Sequence, residues 1–263
     1  MSSSMTVDAA DEPEIPVLPP GEDELPSDDG EPMETNRHRQ QMNLLIQSLK
    51  RAWVDRHDYF VGGNMFVYFS ELQVKHNDFR GPDVFVALDT TDRDRRSWVA
   101  WGENGKLPDV VIELLSDRTR HIDRGEKMRI YSRLWRTAQY FLYDPWSHEL
   151  EGYHLDSDSG DYLRIQADQR GHLPCPRLGL AVGLHEGAYE GVRTTWLRWF
   201  SASGLLLPTA DEDADVEKSR ADAEKSRADA ERSRADAERD RAVRAEQRAA
   251  ELEQQLQAAR EPR

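Results

Sequence analysis

The spacing of apolar residues predicts a mixed α/β domain in the middle of the chain. An apolar stripe at helical spacing, from Met42 to Trp53, predicts a first helix that begins after a cap at Thr35 or Asn36. Short apolar runs bounded by proline, glycine or aspartate predict buried strands. These runs lie at 59–69 (two strands broken at Gly62–Gly63), 82–88, 108–116 and 138–145.

The run 108–116 is apolar on both faces, which is typical of a central strand. Helical periodicity returns at 123–135, where Met128, Tyr131, Leu134 and Trp135 fall on one side. The runs 150–155 and 162–166 predict a hairpin, and the segment 178–200 predicts a strand followed by a closing helix. We therefore expect one globular domain over residues 37–204.

A heptad repeat follows this domain. We interpret residues 205–215 as a linker, because Pro208 and an acidic run lie there, and residues 216–261 as a charged helix. Ala221, Ala228 and later alanines occupy one heptad position, whereas the position three residues later holds glutamates at first. Both a solvated single helix and a coiled coil that joins copies of the chain fit this pattern.

Charge separates the N-terminal segment from the rest. The net charge is −15, and residues 1–36 contain eleven acidic and no basic residues, which leaves about −4 elsewhere. Prolines and repelling charges predict that this segment is disordered, either as a solubilising tail or as an acidic decoy for a nucleic-acid site. The lone Cys175, the lack of a signal peptide and the lack of a long apolar run favour a cytoplasmic protein without membrane contact.

Three residues are candidates for chemistry. Glu113 lies among aliphatic residues within its strand, where an ionised carboxylate needs a cation or hydrogen-bond donors. Asp83 opens another apolar strand, and Lys127 follows on the next predicted helix. Carboxylate oxygens are the ligands that Mg²⁺ prefers, and a nearby amine could orient water or offset charge. Alternatively, Asp83 and Asp109 are turn residues after proline, and Asp123 and Lys127 form an ordinary helical ion pair.

Together these segments resemble the Uma-two family of restriction-endonuclease-like proteins, in the PD-(D/E)xK nuclease superfamily. The resemblance covers roughly residues 40–200. It rests on the order and spacing of three blocks, which are GPDVFVAL, PDVVIELLS and TRHIDRGEKMRIYSRLWRTAQYFLYDP.

The resemblance implies a restriction-endonuclease-like fold, with a mixed central sheet flanked by helices, and metal-dependent hydrolysis of phosphodiester bonds in DNA. It implies that Asp83 and Glu113 bind Mg²⁺ or Mn²⁺ and that Lys127 is the third catalytic residue. The superfamily's usual lysine would stand at Leu115, so Lys127 replaces it. Further residues match the pattern with secondary roles, and nearby arginines could bind phosphates, although a solvated helix face explains the arginines as well. The secondary residues are Asp109, Asp123 and Tyr131, and the arginines are Arg118, Arg120 and Arg124.

Three functions remain open at this point. The first is a Mg²⁺- or Mn²⁺-dependent DNA endonuclease. The second is an inactive nuclease-fold module that binds nucleic acid or a protein partner, with the C-terminal helix mediating association. The third is a structural homo-oligomer built through residues 216–261, with the globular part as a passive cap. No phosphate-binding loop of the type found in ATPases is present in the sequence.

Overall fold

The computed structural model describes residues 19–27, 35–70 and 81–260, with side chains as far as residue 253. The chain divides into two compact units, Met1–Leu207 and Pro208–Arg263. None of the helices in the described part of the chain combines the length and the apolar character needed to cross a membrane.

The predicted first helix, α1, runs over Asn36–Ala52 and begins at an N-cap residue, Thr35, whose side chain accepts a hydrogen bond from the backbone N–H of His38. Its apolar stripe is buried, as the periodicity predicts. Two side-chain contacts hold the helix in place. The Gln41 amide exchanges two hydrogen bonds with the backbone of Leu197, and the Trp199 indole donates to the Leu45 carbonyl.

A mixed six-stranded sheet forms the centre of the first unit. Its strands are Tyr59–Gly62 (β1), Val84–Leu88 (β3), Val110–Leu114 (β5), Gln139–Tyr143 (β6), Leu150–Leu155 (β7) and Tyr162–Arg164 (β8), and they lie in the order β1-β3-β5-β6-β7-β8. Neighbouring strands are antiparallel, apart from the parallel pair β5 and β6. The predicted mixed central sheet flanked by helices is thus confirmed. A separate two-stranded parallel ribbon consists of Val67–Tyr68 (β2) and Trp98–Val99 (β4). A 3₁₀ turn at Ala100–Glu103 follows β4.

A second, antiparallel sheet replaces the closing helix that the sequence predicted near residue 200. Its strands are Leu173–Cys175 (β9), Leu180–Tyr189 (β10) and Val192–Ser201 (β11). The prediction was wrong because the turn between β10 and β11 is Glu190–Gly191, and both residues have positive φ. That geometry fits a two-residue hairpin turn, but glutamate at its first position is not a hairpin signal. The second sheet and α1 cover one face of the central sheet.

The other face of the central sheet is covered by a helix of unusual form, α2. It has an α-helical turn at Arg120–Ile122 and two π-helical stretches, Asp123–Lys127 and Ile130–Trp135. The helix was predicted at 123–135, but its widened turns were not. Tyr131 and Trp135 pack with Val111, Tyr140 and Leu142 of the sheet.

The C-terminal helix, α3, runs over Ala210–Arg260 and therefore begins within the predicted linker 205–215. A capping box explains this early start. Thr209 N–H donates to the Glu212 carboxylate at 2.7 Å, and Glu212 N–H donates to the Thr209 hydroxyl at 3.2 Å. The acidic residues that follow lie in the first turn, where the helix dipole favours negative charge. The described side chains of the helix beyond its first turns are exposed, including Val216, Val243 and Leu252.

Part of the acidic N-terminal segment departs from the predicted disorder. Residues 19–27 lie on the β2/β4 ribbon, and Leu25 is buried there. The departure has a physical cause, because the segment contains a leucine that fits an aromatic pocket and, just before it, two acidic residues that pair with arginines. The remainder of the predicted tail, apart from Thr35 and Asn36, lies outside the described residues.

Candidate active site

Two carboxylates meet where β3 begins and β5 ends. These strands are antiparallel, and the pairing of Val84 with Ile112 brings Asp83 beside Glu113. Each carboxylate accepts a hydrogen bond from a backbone N–H in the segment that carries the other. The N–H of Leu114 donates to Asp83 Oδ2 at 2.7 Å, and the N–H of Asp83 donates to Glu113 Oε2 at 3.3 Å. Since side chains alternate along a strand, Glu113 projects to the same face as Val111, which is the face that α2 covers.

Helix α2 supplies a basic, an acidic and a phenolic group to this point. Lys127 Nζ lies 3.0 Å from Glu113 Oε2 and 2.9 Å from Asp123 Oδ1. The Tyr131 hydroxyl donates to Glu113 Oε1 at 2.7 Å. The structure therefore brings together Asp83, Glu113, Lys127, Asp123 and Tyr131, five of the residues singled out from the sequence.

The widened turns of α2 account for this convergence. Asp123, Lys127 and Tyr131 follow each other at intervals of four residues. In a regular α-helix, a step of four residues overshoots a full turn by about 40°, so the positions would drift around the helix. Turns of π type contain more residues and reduce the drift, so that all three side chains face the sheet. Such turns are frequent at functional sites.

Burial makes the charges in this cluster costly. Glu113 is 0 % exposed and Asp123 is 1 % exposed. Burial raises the pKa of Glu113 to about 8, the charges of Asp83 and Asp123 contribute in the same direction, and Lys127 and Tyr131 oppose them. Burial also raises the pKa of Asp83, against the opposing effects of Lys127 and the Leu114 N–H. The cluster thus contains more negative charge than its protein partners compensate.

The amine of Lys127 keeps its proton in this setting. Burial by itself lowers the pKa of Lys127, but the charges of Glu113, Asp123 and Asp83 outweigh burial and raise that pKa above its ordinary value. Lys127 is therefore a fixed positive charge, and a role as a general base at neutral pH does not fit it.

The donor set fits a hard divalent cation. Among the described residues, no three His, Cys, Asp or Glu side chains stand ready to hold a metal as they are. The acids of the cluster are bridged by the Lys127 amine instead. Oδ1 of Asp123 is buried, and its contact with that amine does not have hydrogen-bond geometry. Three carboxylates and one ammonium leave an excess of negative charge, which Mg²⁺ or Mn²⁺ would balance through oxygen ligands.

Asp109 lies apart from the cluster, although sequence reasoning grouped it with the other acids. It precedes β5, at the opposite end of the strand from Glu113. Its carboxylate accepts hydrogen bonds from Leu88 N–H and Arg177 Nε, each at 2.8 Å, and lies 3.4 Å from Lys106 Nζ. These contacts give Asp109 a structural place, and they correct the expectation that it joins the site.

The three arginines predicted to bind phosphate flank the cluster in the chain, but two are engaged with acids. Arg120 pairs with Asp117 at 2.8 Å and with Asp144 at 3.1 Å. Arg124 pairs with Glu151 at 2.5 Å. Arg118 is exposed in the turn before α2. Because about a third of the side chains of Arg120 and Arg124 is exposed, a phosphate would compete with these acids for them.

Leu115 marks the departure from the superfamily pattern that the sequence resemblance implies. The position where the superfamily lysine would stand is a fully buried leucine, which packs with Val111 and Trp135. Lys127 approaches Glu113 from the face of the sheet that α2 covers, and its Nζ lies 3.0 Å from Glu113 Oε2. The departure from the superfamily pattern therefore leaves an amine beside the second acid.

Sequence reasoning missed His38, in the first turn of α1. It is buried, and its Nδ1 lies 2.8 Å from Thr35 Oγ1. Burial raises the pKa of the nearby Asp83, and the interaction with His38 is one of the smaller effects that oppose this rise. A signal for it exists in the sequence, because His38 precedes Met42 by one helical turn and continues the apolar stripe of α1. A histidine on a buried helical face requires a polar partner. Tyr140 is also part of the setting, since its hydroxyl donates to the Asp123 carbonyl at 2.9 Å.

Comparison with known proteins identifies the family. The model of the Uma2 family, described as "Putative restriction endonuclease", matches residues 22–188. The chain belongs to this family, as its sequence motifs indicate. An uncharacterized protein of Synechocystis sp., slr1290, is 29% identical over 134 residues, which are 50% of this chain and 66% of that protein. The chain thus matches just under two thirds of that relative's length.

A solved structure is similar over part of the chain. It is a crystal structure from Anabaena variabilis, described as a putative nuclease belonging to DUF820, with 15% sequence identity and a TM-score of 0.40. The similarity covers 56% of this chain and 75% of the other.

Proposed function

We propose that this protein is a DNA endonuclease that hydrolyses phosphodiester bonds with the help of Mg²⁺ or Mn²⁺. One observation carries the proposal. Asp83 just before β3, Glu113 on β5 and Lys127 on α2 converge with Asp123 in a buried cluster that has too few positive charges. Membership of a family described as "Putative restriction endonuclease" supports the same reaction.

In this proposal, Asp83, Glu113 and Asp123 hold the metal ion, which would polarise a phosphate oxygen and lower the pKa of the attacking water. Lys127 keeps its proton and offsets the negative charge that develops on the phosphate in the transition state. Tyr131 fixes the orientation of the Glu113 carboxylate through its 2.7 Å hydrogen bond. The N–H of Leu114 does the same for Asp83.

The test is DNA cleavage by the full chain and by two site variants, Asp83→Asn and Glu113→Gln. Both substitutions remove a charge but keep an oxygen that accepts the hydrogen bonds of the site. Asp158→Asn is the matched control, because Asp158 is exposed and lies in the turn between β7 and β8, away from the cluster and its arginines. We expect metal-dependent cleavage by the wild type and the control, and a loss of at least about 10²-fold in both site variants.

The substrates should include linear, supercoiled and single-stranded DNA, with Mg²⁺ and Mn²⁺ in turn. Cleavage that survives in both site variants would assign the activity to another site or to a contaminant. If the wild type binds DNA but cleaves none of these substrates with either metal, the catalytic proposal fails and a binding module remains.

A further inference from the structure

The β2/β4 ribbon carries a small apolar pocket that lies outside the candidate active site. Phe66, Tyr68 and Val99 form it, and the partly buried Trp101 packs against it. Leu25 from the N-terminal segment fills the pocket and is only 4% exposed. Burial of one leucine side chain contributes about 2 kcal/mol, so this residue is the anchor of the segment.

Hydrogen bonds on both sides of Leu25 hold the backbone of the segment. The Trp101 indole donates to the Pro20 carbonyl at 2.9 Å, and the Tyr68 hydroxyl donates to the Pro26 carbonyl at 2.7 Å. Both acceptors are carbonyls of proline, whose fixed φ lowers the conformational cost of holding the segment. Side-chain donors that bind the backbone of a short segment, beside a pocket for one side chain, are typical of peptide recognition.

Charge complementarity adds selectivity. The Arg93 guanidinium binds both oxygens of Glu22, at 2.8 Å and 3.3 Å, and Arg96 lies 3.9 Å from Asp23. Within the segment, Glu24 accepts a hydrogen bond from Gly21 N–H at 2.9 Å and stabilises a turn. The surface thus contacts one leucine, two flanking proline carbonyls and the acidic residues that precede the leucine.

We propose that this surface is a peptide-binding site and that residues 19–27 are its intramolecular ligand, held reversibly. Its contact consists of one anchor, two hydrogen bonds and exposed ion pairs, which is the composition of a transient peptide complex. Tethering gives the segment an effective concentration in the millimolar range, so it stays bound in its own chain. The same segment of a second copy competes poorly for the pocket until binding of the tethered segment is weakened. The proposal does not depend on the nuclease function.

A competition experiment on the full chain tests this. The double variant Glu22→Lys/Leu25→Ala weakens the tethered segment without changing the pocket, and Ser27→Ala, at an exposed position of the segment, is the control. The probe is a fluorescent synthetic peptide of residues 19–27, followed by anisotropy at low salt. We expect saturable binding to the double variant, and at least tenfold weaker binding to the wild type and to Ser27→Ala.

Two further arms make the assignment specific. A probe peptide with Leu25→Ala should lose binding to the double variant by at least tenfold, and adding Tyr68→Phe to the double variant should weaken the unchanged probe several-fold. Equal binding of both probes, or no saturable binding to a double variant with unchanged circular dichroism, would overturn the proposal. Displacement of the bound peptide by a single-stranded oligonucleotide would also overturn it, because the surface would then be a nucleic-acid site covered by an acidic mimic.

Discussion

The substitution Glu113→Gln should make the metal-free protein more stable at alkaline pH. Glutamine has the size of glutamate and keeps an oxygen for the Tyr131 hydroxyl, but it cannot ionise. The pKa of Glu113 lies at about 8, above the 4.5 of an ordinary glutamate, because the side chain is buried beside other acids. The folded protein therefore favours the protonated form of Glu113.

The sign of the effect follows from linkage. A carboxyl whose pKa is raised on folding contributes stability that is complete below about pH 4.5 and is lost as the pH rises through about 8. Taken alone, this difference in pKa lowers the free energy of unfolding by on the order of 5 kcal/mol at high pH. Since Lys127 and Asp83 share in the titration, we expect a part of it, about 2 to 3 kcal/mol.

Urea unfolding with EDTA, from pH 5 to pH 9, measures this difference between wild type and variant. We expect similar stabilities near pH 5 and a growing advantage of Glu113→Gln above pH 7. Added Mg²⁺ should stabilise the wild type at pH 8 and have little effect on the variant, since a ligand that binds only the folded state raises its stability. Parallel pH profiles of the two proteins would refute the electrostatic account of the cluster.

Three other substitutions test separate parts of the structure. Lys127→Met should lower the rate of DNA cleavage about 10²-fold or more while affinity for DNA in Ca²⁺ changes little, and a large loss of affinity instead would contradict a transition-state role. Tyr131→Phe removes the hydroxyl that donates to Glu113 and should lower the free energy of urea unfolding by about 1 to 2 kcal/mol, whereas an unchanged midpoint would contradict the contact. Glu190→Asn should raise Tm in calorimetry, because asparagine tolerates positive φ better than glutamate, and a lower Tm would contradict the hairpin geometry.

Local signals in the sequence predicted the central strands and singled out Glu113, because buried runs and a charge inside one of them are visible locally. The other residues of the cluster were grouped with Glu113 only by the resemblance to a family. Strand direction is not a local signal. The dipeptide Pro-Asp occurs at 82–83 and at 108–109, and the two aspartates have the same local context. Since β3 and β5 are antiparallel, their first residues lie at opposite ends of the sheet, so Asp83 meets Glu113 and Asp109 does not.

Other features depend on long-range packing. The π-helical turns of α2 arise where the helix meets the aromatic side chains of the sheet, and a pattern of four-residue spacing is compatible with an ordinary α-helix as well. The ordered segment 19–27 depends on a pocket formed by residues 66–101, which composition alone does not reveal. Composition predicted disorder there because it averages over one anchor residue and its acidic neighbours.

Because Lys127 lies on α2, the position of its ammonium group does not depend on the strand that carries Glu113, whereas the position of a lysine at residue 115 would. Asp83 and Glu113 lie where β3 and β5 pair, and the hydrogen bonds of the sheet fix their backbone. The ammonium group belongs to a helix whose Tyr131 and Trp135 pack on the sheet, with the partly buried Phe69 against Trp135. Substitutions in this aromatic layer would move the positive charge and leave Asp83 and Glu113 in place. In a nuclease of the kind proposed above, such substitutions would change the rate of hydrolysis while every acidic residue of the cluster stayed in place.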